Sequence, residues 1–499
     1  MLAVLLAPVL EGVKRNSACT IVAFLGTALA MAALVGVGRL PVAPHAGATI
    51  FANYFGGLLV LDPFAWFMKL VILGFTLLVI LLRSLLPPSE TQRDGPEFFL
   101  LLLAAALGMC VMVGTANLMM IFVAVEMASL PSYILAGFQK TQRAGAEAAL
   151  KYVLFGAVAT GGMLYGMSLL YGLAGSLDLR VIATALAATH GASRVAGALG
   201  ILALIGGIGF KCAMAPMHFW CPDVFEGSSL DVAAFLSVAS EGAGLALLLR
   251  VAFLLSRARV AGGSEVAWPG TFAADVIATA GVISAFWGNL AAFGQKNIKR
   301  LLAYSSIAHS GYMMLAIALV AAGGMGSQTA GATALLFYLA MYLITNGGAF
   351  VAAGAIYSAT GSEQIADYSA LSRRAPIAAF AMTIFLLSLT GIPLTVGFAM
   401  KLRLFLTLFN SHSVIGFIGV ATLAINTVIA AFYYLRVIRQ MYLIDSDAPA
   451  LIEIAPVTVL AVLLVLPTIG LFIVYGPASG YARSFARLYR PRNVAVGRK

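Results

Sequence analysis

Residues 454–476 read IAPVTVLAVLLVLPTIGLFIVYG, twenty-three positions without a formal charge. Long apolar runs of this kind recur along the chain, and about twenty such residues in a helix cross a hydrocarbon layer roughly 30 Å thick. Lipid offers backbone N–H and C=O groups no partner, so only helices and closed barrels can span it. A barrel would show short segments of alternating polarity, and none are evident. The chain therefore reads as an all-α polytopic membrane protein. Its composition agrees: 62% of the residues are hydrophobic and 10% charged, against about a quarter charged in a soluble domain.

Thirteen spans are expected, at 17–37, 64–84, 97–114, 116–137, 150–173, 194–216, 229–253, 271–294, 298–322, 328–356, 376–408, 413–437 and 454–476. The count reaches fourteen if the apolar residues 2–10 are the stub of an extra first helix rather than an interfacial segment. Lys14 and Arg15 follow that stub instead of leading it, the wrong order for a cleavable signal peptide. The connections are short, and no soluble domain fits between the spans.

A net charge of +11 points to topology before nucleic acid, because membrane proteins concentrate Lys and Arg in cytoplasmic loops. Alternation of the spans puts Lys14 and Arg15, Lys140 and Arg143, the QKNIKR run at 295–300, Arg373 and Arg374, and Arg436 and Arg439 on one side. That side is expected to be cytoplasmic. The C-terminal tail, with Arg483, Arg487, Arg490, Arg492 and Arg498, falls on the other side, against the rule. Cys19, Cys110, Cys212 and Cys221 form no C-x-x-C, and the five histidines are isolated. Neither an iron–sulfur cluster nor a metal centre is expected on this chain.

Two spans carry their own interruption. In IGGIGFKCAMAPMHFW, Pro216 lacks an N–H and clashes with the carbonyl of Cys212, so the helix should open directly after Lys211. In LTGIPLTVGFAMKLRLF, Pro393 frees the carbonyl of Leu389, Gly391 and Gly397 loosen both sides, and Lys401 follows. Two broken, lysine-bearing helices in separate halves point to a transporter built from repeats. Five helices separate them, although the lysine precedes the proline in one and follows it in the other.

A charge at a helix centre costs about 2.5–3.5 kcal/mol on insertion scales, so each such group needs a partner or a cavity. Glu126 lies mid-span, Lys151 opens the fifth span, Lys211 and Lys401 lie at the breaks, and Glu241 and His309 sit in apolar helices. Desolvation and a neighbouring opposite charge move a lysine's proton affinity in opposite directions, and histidine titrates near neutrality. Lysines with an acid and a histidine are what hydrogen-bonded proton conduction would use. The competing readings are a structural ion pair for Glu126, snorkelling to an interface for Lys151, Lys211 and Lys401, and packing for His309. Lys69, Arg250 and Arg436 read as anchors near helix ends.

MHFWCPDVFEGSSLDVAAFLSVAS resembles the H-x-W-x-P-D-V-Y-E-G stretch of the antiporter-like membrane subunits of respiratory complex I. IKRLLAYSSIAHSGYMML, EAALKYVLFGAVATGGMLYGMSLLYG, YLITNGGAF and TGIPLTVGFAMK are similar to further segments of that family, in the same order. The resemblance runs from about residue 54 to 442 and fits the N type, without the long lateral helix of the L type.

It implies fourteen helices with two inverted five-helix repeats, beside which this N-terminus looks one helix short. The corresponding divisions are N-terminal helices at 1–96, a first half-channel repeat at 97–253, a second with its linking helices at 254–442, and a C-terminal helix and basic tail at 443–499. The resemblance also implies proton translocation driven by redox chemistry in partner subunits, which would carry NADH, FMN, iron–sulfur clusters and quinone. No cofactor is implied on this chain. Membrane lipids and the other membrane and peripheral subunits are the implied partners, and the bacterial inner membrane the implied location.

By the same resemblance Glu126 pairs with Lys211, Lys151 is a further lysine of the N type, His309 belongs to a central relay and Lys401 ends the second half-channel. Glu241 departs from the family, which has lysine there. Either a nearby basic group compensates, or the carboxyl is neutral, or the link works differently. A subunit of a multi-component cation/proton antiporter, a membrane-bound hydrogenase subunit and a structural scaffold are the rival readings.

Overall fold

Wherever the chain is described, the long apolar runs are helical, and a short hairpin of Ala52–Tyr54 and Leu59–Leu61 lies between the first two. The computed structural model describes residues 1, 3, 4, 15–38, 52–86, 95–139, 142–257, 268–446, 449, 451 and 456–486. The segment 2–10 lies largely outside them, as do Lys14, Lys140 and Arg487 to Arg498. The crossings begin with α1 (Arg15–Gly38), α2 (Pro63–Leu85), α3 (Gly95–Met112), α4 (Leu118–Ala136) and α5 (Arg143–Ala174). A short surface helix, α6 (Leu179–Ala187), leads to α7 (Gly191–Lys211), α8 (Trp220–Gly227) and α9 (Leu230–Ser256). Then come α10 (Trp268–Ala292), α11 (Ile298–Ala322), α12 (Met325–Thr360), α13 (Pro376–Thr390), α14 (Val396–Phe409), α15 (Val414–Leu443), α16 (Pro456–Ile473) and α17 (Tyr475–Phe485).

Twelve of the described helices are long and apolar enough to cross a membrane. The broken pair α13 and α14 supplies the thirteenth crossing, which matches the lower expected count. Side chains such as Leu29, Val158, Phe432 and Leu466 are exposed, as a lipid-facing surface requires. In contrast α9 and α11 are buried along nearly their whole length and α12 over most of its own. These three helices form the axis of the bundle.

The repeat shows itself in the turns. Asn117 caps α4 by accepting from the N–H groups of Met119 and Met120, and Asn297 caps α11 by accepting from Lys299 and Arg300. Each capping loop pairs with the chain leaving a long helix: Leu118 N–H donates to the Leu177 carbonyl, and Ile298 N–H to that of Glu363. Both long helices end on a glycine of positive φ, Gly175 at 62° and Gly361 at 70°, where an L side chain would be strained. The first repeat runs from α3 to α9 and the second from α10 to α15. Five crossings is an odd number, so the second repeat enters the membrane inverted.

Some boundaries differ from expectation: the span expected to end at 437 runs on to Leu443. The span expected to begin at residue 150 starts at Arg143, so Lys151 lies two turns inside α5. The span 229–253 contains a π turn, Leu236–Ser240, immediately before Glu241, a local widening common at functional sites. Of the basic loops, those near residues 295, 374 and 436 meet on one face: Arg436 donates to the carbonyl of Gln295, Gln440 to Ser369, and Leu451 N–H to the carbonyl of Arg374. Phe485 of α17 stacks on Trp66 at the start of α2, the opposite end of the bundle.

Candidate functional site

The sixth crossing opens directly after Lys211, as Pro216 requires. An opened helix leaves backbone groups to be satisfied, and here the turn itself and neighbouring helices share the task. Ser310 of α11 donates to the Cys212 carbonyl at 2.7 Å, Ala215 N–H donates to Ser284 of α10 at 2.9 Å, and Trp220 donates to the Phe210 carbonyl at 3.1 Å. Lys211 itself has no exposed surface, and its Nζ has no hydrogen-bond partner among the described residues. It sits 5.7 Å from the centroid of the Tyr152 ring, which stacks on Trp220 at 4.3 Å.

Glycine sets how closely this crossing packs. A Cβ on Gly244 of α9 would meet Lys211 Cβ at 3.0 Å and Cys212 Sγ at 2.9 Å. Glu126, half-buried on α4, accepts from Thr160 at 2.8 Å. It lies within electrostatic reach of Lys211 but forms no ion pair with it.

At the axis, Glu241 is 1% exposed. Its Oε1 lies 3.9 Å from the thiol of Cys221, its Oε2 has no partner, and it forms no ion pair with any described residue. The compensating basic group is therefore not found. His309 shares a 2.8 Å hydrogen bond with Tyr338 and stacks on Tyr342 at 5.1 Å. Tyr342 donates to Ser306 at 2.9 Å, Ser306 meets Ser237 of the π turn at 2.7 Å, and Asn346 donates to Ser237. Sequence reasoning missed this network. Its signal was present: Tyr338, Tyr342 and Asn346 recur every four residues, so they line one face of α12.

The second break closes in the same kind of turn as the first, where Met214 N–H donates to the Gly209 carbonyl and Ala213 N–H to that of Phe210. Ile392 N–H donates to the Leu387 carbonyl and Gly391 N–H to that of Ser388, the Schellman pattern, with Gly391 at φ 90°. Those carbonyls are closed by the turn, and Lys401 donates to the Thr390 carbonyl at 2.9 Å. Lys401 is 6% exposed and lies 5.6 Å from the centroid of the Tyr312 ring. Tyr312 accepts from Asn289 at 2.8 Å, and Asn289 accepts from Tyr433 at 3.0 Å.

Two other charged groups fall elsewhere than their sequence suggests. Lys151 joins Asp223 at 2.7 Å and Glu147 at 2.8 Å. Asp223 also pairs with Arg300 at 2.6 Å, and Arg300 with Glu226 at 2.8 Å. The structure thus places Lys151 in a partly exposed bridge from α5 through α8 to α11. Arg250 is no interfacial anchor: it is buried and forks onto Asp62 at 2.8 and 2.9 Å. A fork of two parallel N–H donors onto a carboxylate is what guanidinium geometry favours. Among the described residues, no three His, Cys, Asp or Glu side chains converge to hold a metal ion.

Residues 115–429 match the family model described as NADH:quinone oxidoreductase/Mrp antiporter, TM. The chain is 39% identical over 467 residues to NADH-quinone oxidoreductase subunit N of Anaeromyxobacter sp. (strain Fw109-5), covering 90% of this chain and 86% of that one. It aligns with a chain of respiratory complex I from Thermus thermophilus, solved with bound aureothin, at a TM-score of 0.74 and 31% identity over 96% of both chains. An archaeal membrane-bound sulfane sulfur reductase shares the fold at a TM-score of 0.83 and 23% identity, over 97% of this chain and 95% of that one. With its family match spanning both broken crossings and its relatives covered nearly end to end, the chain belongs to the NADH:quinone oxidoreductase/Mrp antiporter family of transmembrane subunits.

Proposed function

We infer that this chain is a proton-translocating membrane-arm subunit of a complex I-type NADH:quinone oxidoreductase in a bacterial cell membrane. The observation that carries the reading is the pair of broken crossings, each with a buried lysine at its opening, joined across the axis by the Glu241, Tyr342 and His309 region. Redox chemistry belongs to partner subunits, where NADH, FMN, iron–sulfur clusters and quinone are expected. This chain's own residues hold and move protons.

Lys211, within reach of Glu126, is the exchangeable site of the first half-channel, residues 97–253. Lys401, held by Thr390, is that of the second, residues 254–442. Ser306, Ser237 and Tyr342 carry hydroxyl protons that reorient without leaving the chain, which suits transfer between Glu241 and His309. Lys151 acts at the edge, fixing α8 through Asp223. The change that drives transfer is electrostatic: a buried ammonium is tolerated only while a counter-charge or dipole faces it.

Purification of the assembled enzyme through a tag on this chain tests the assignment. NADH-driven quinone reduction that acidifies one side of sealed vesicles is expected. A complex that exchanges a metal cation for protons without any redox donor would overturn it and favour the antiporter reading.

A further inference from the structure

Both break lysines lie over the face of a tyrosine, Lys211 at 5.7 Å from the Tyr152 centroid and Lys401 at 5.6 Å from that of Tyr312. The two tyrosines are not counterparts in the repeat. Tyr152 sits on α5, the third helix of the first repeat, and Tyr312 on α11, the second helix of the second. The same pairing is therefore built twice from different helices, which inheritance through the repeat alone does not explain.

Both rings are also held in place. Tyr152 stacks on Trp220 with 12° between planes, and meets Tyr133 edge-on at 4.7 Å. Tyr312 is fixed by its hydrogen bond from Asn289 and by edge contact with His309 at 5.6 Å. A ring face attracts an ammonium through its quadrupole and is indifferent to a neutral amine, and the effect grows as water is removed. Such a face discriminates between the two protonation states of the lysine above it.

We propose that Tyr152 and Tyr312 are positioning residues whose ring faces hold the charged forms of Lys211 and Lys401, and so set when each lysine lets its proton go. This rests on the proton-translocation reading above. The other groups facing Lys211 are Glu126 on α4 and Cys212 on its own segment, and Glu241 on α9 acts on Cys212. Lys401 is faced by His309 on α11, and Arg403 lies on its own helix. The hydroxyls play no part in the proposal: Tyr152 OH and Ser240 Oγ face one another without completing a hydrogen bond.

The test replaces residue 152, and separately residue 312, by phenylalanine and by phenylalanines bearing one, two and three ring fluorines. Fluorine drains the negative face while hardly altering volume, so packing against Trp220 is kept. Proton uptake per electron is read against pH in vesicles containing the assembled enzyme, with Tyr152→Leu as the variant that lacks a face. The alkaline limb of the profile is expected to move to lower pH with each fluorine, by about one unit over the series, and furthest in Tyr152→Leu. A profile that stays fixed along the series overturns the proposal. Lys211→Ala, measured alongside, separates the two failures. If it abolishes uptake while the fluorine series is flat, the ring proposal alone falls. If it pumps as the unaltered enzyme does, the functional reading falls and the proposal with it.

Discussion

At the second break Lys401 donates to the Thr390 carbonyl, and the tyrosine beneath it is tied through Asn289 to Tyr433. At the first break Lys211 donates to nothing, and the hydroxyl of the tyrosine beneath it is also unbonded. The same parts are thus satisfied locally in one half and left open in the other. A buried amine without a fixed acceptor costs several kcal/mol unless a counter-charge comes to it, and Glu126, tied to Thr160, is the acid within reach. On the proposed reading the first break is the adjustable site and the second the anchored one. The turns themselves are alike: Met214 N–H donates to the Gly209 carbonyl and Ala213 N–H to that of Phe210, as Ile392 and Gly391 do for Leu387 and Ser388. The difference lies in the carbonyl that follows. At the first break that of Cys212 accepts from Ser310 of α11, and at the second that of Thr390 accepts from Lys401 itself.

The sharpest way to break this comparison is at the glycines. A Cβ at residue 397 would lie 1.7 Å from the Ser388 carbonyl oxygen, which is backbone and cannot move aside. Gly397→Ala is expected to cost about 3 kcal/mol or more, seen as loss of assembled subunit from membranes. Gly244→Ala meets mostly the Lys211 and Cys212 side chains near 3 Å and should assemble. Equal loss in both variants would mean that the second break is no tighter than the first.

Next in size is the cap borrowed across the bundle. Ser310→Ala leaves the Cys212 carbonyl without its donor, at a cost of about 1–3 kcal/mol in thermal unfolding of the detergent-solubilised enzyme. A smaller change, below about 0.5 kcal/mol, would show that the first break does not depend on α11.

The smallest effects lie in the tyrosine hydroxyls. Tyr312→Phe removes an acceptor from Asn289 and should cost about 1 kcal/mol. Tyr152→Phe removes a hydroxyl with no partner and should stay within about 0.5 kcal/mol. Reversal of that order would contradict the contrast between an anchored and an open site.

Much of the fold was legible because the forces that set it are local. Hydropathy gave the spans, most of their ends within a few residues, Pro216 gave a helix that ends at Lys211, and Pro393 gave the second break. What each break bonds to was not legible. The donors Ser310 and Trp220, the acceptor Ser284, and Asp62 opposite Arg250 are distant in sequence from the groups they satisfy, and nothing in a hydropathy pattern pairs them. Lys151 was misplaced for a related reason: the Arg143 end of α5 is polar, so the helix runs two turns beyond its apolar part. Glu241 was legible as a charge in an apolar helix, though its departure from the family showed only through the resemblance, and the hydroxyl network around it could have been found from the four-residue spacing of Tyr338, Tyr342 and Asn346.

The central claim is that protons cross through the break lysines, and Lys211 tests it most directly. Proton uptake per electron should be measured in vesicles containing the assembled enzyme with Lys211→Ala, beside the unaltered enzyme and at matched rates of quinone reduction. The account predicts that quinone reduction survives while uptake per electron falls. Uptake per electron equal to that of the unaltered enzyme would contradict it.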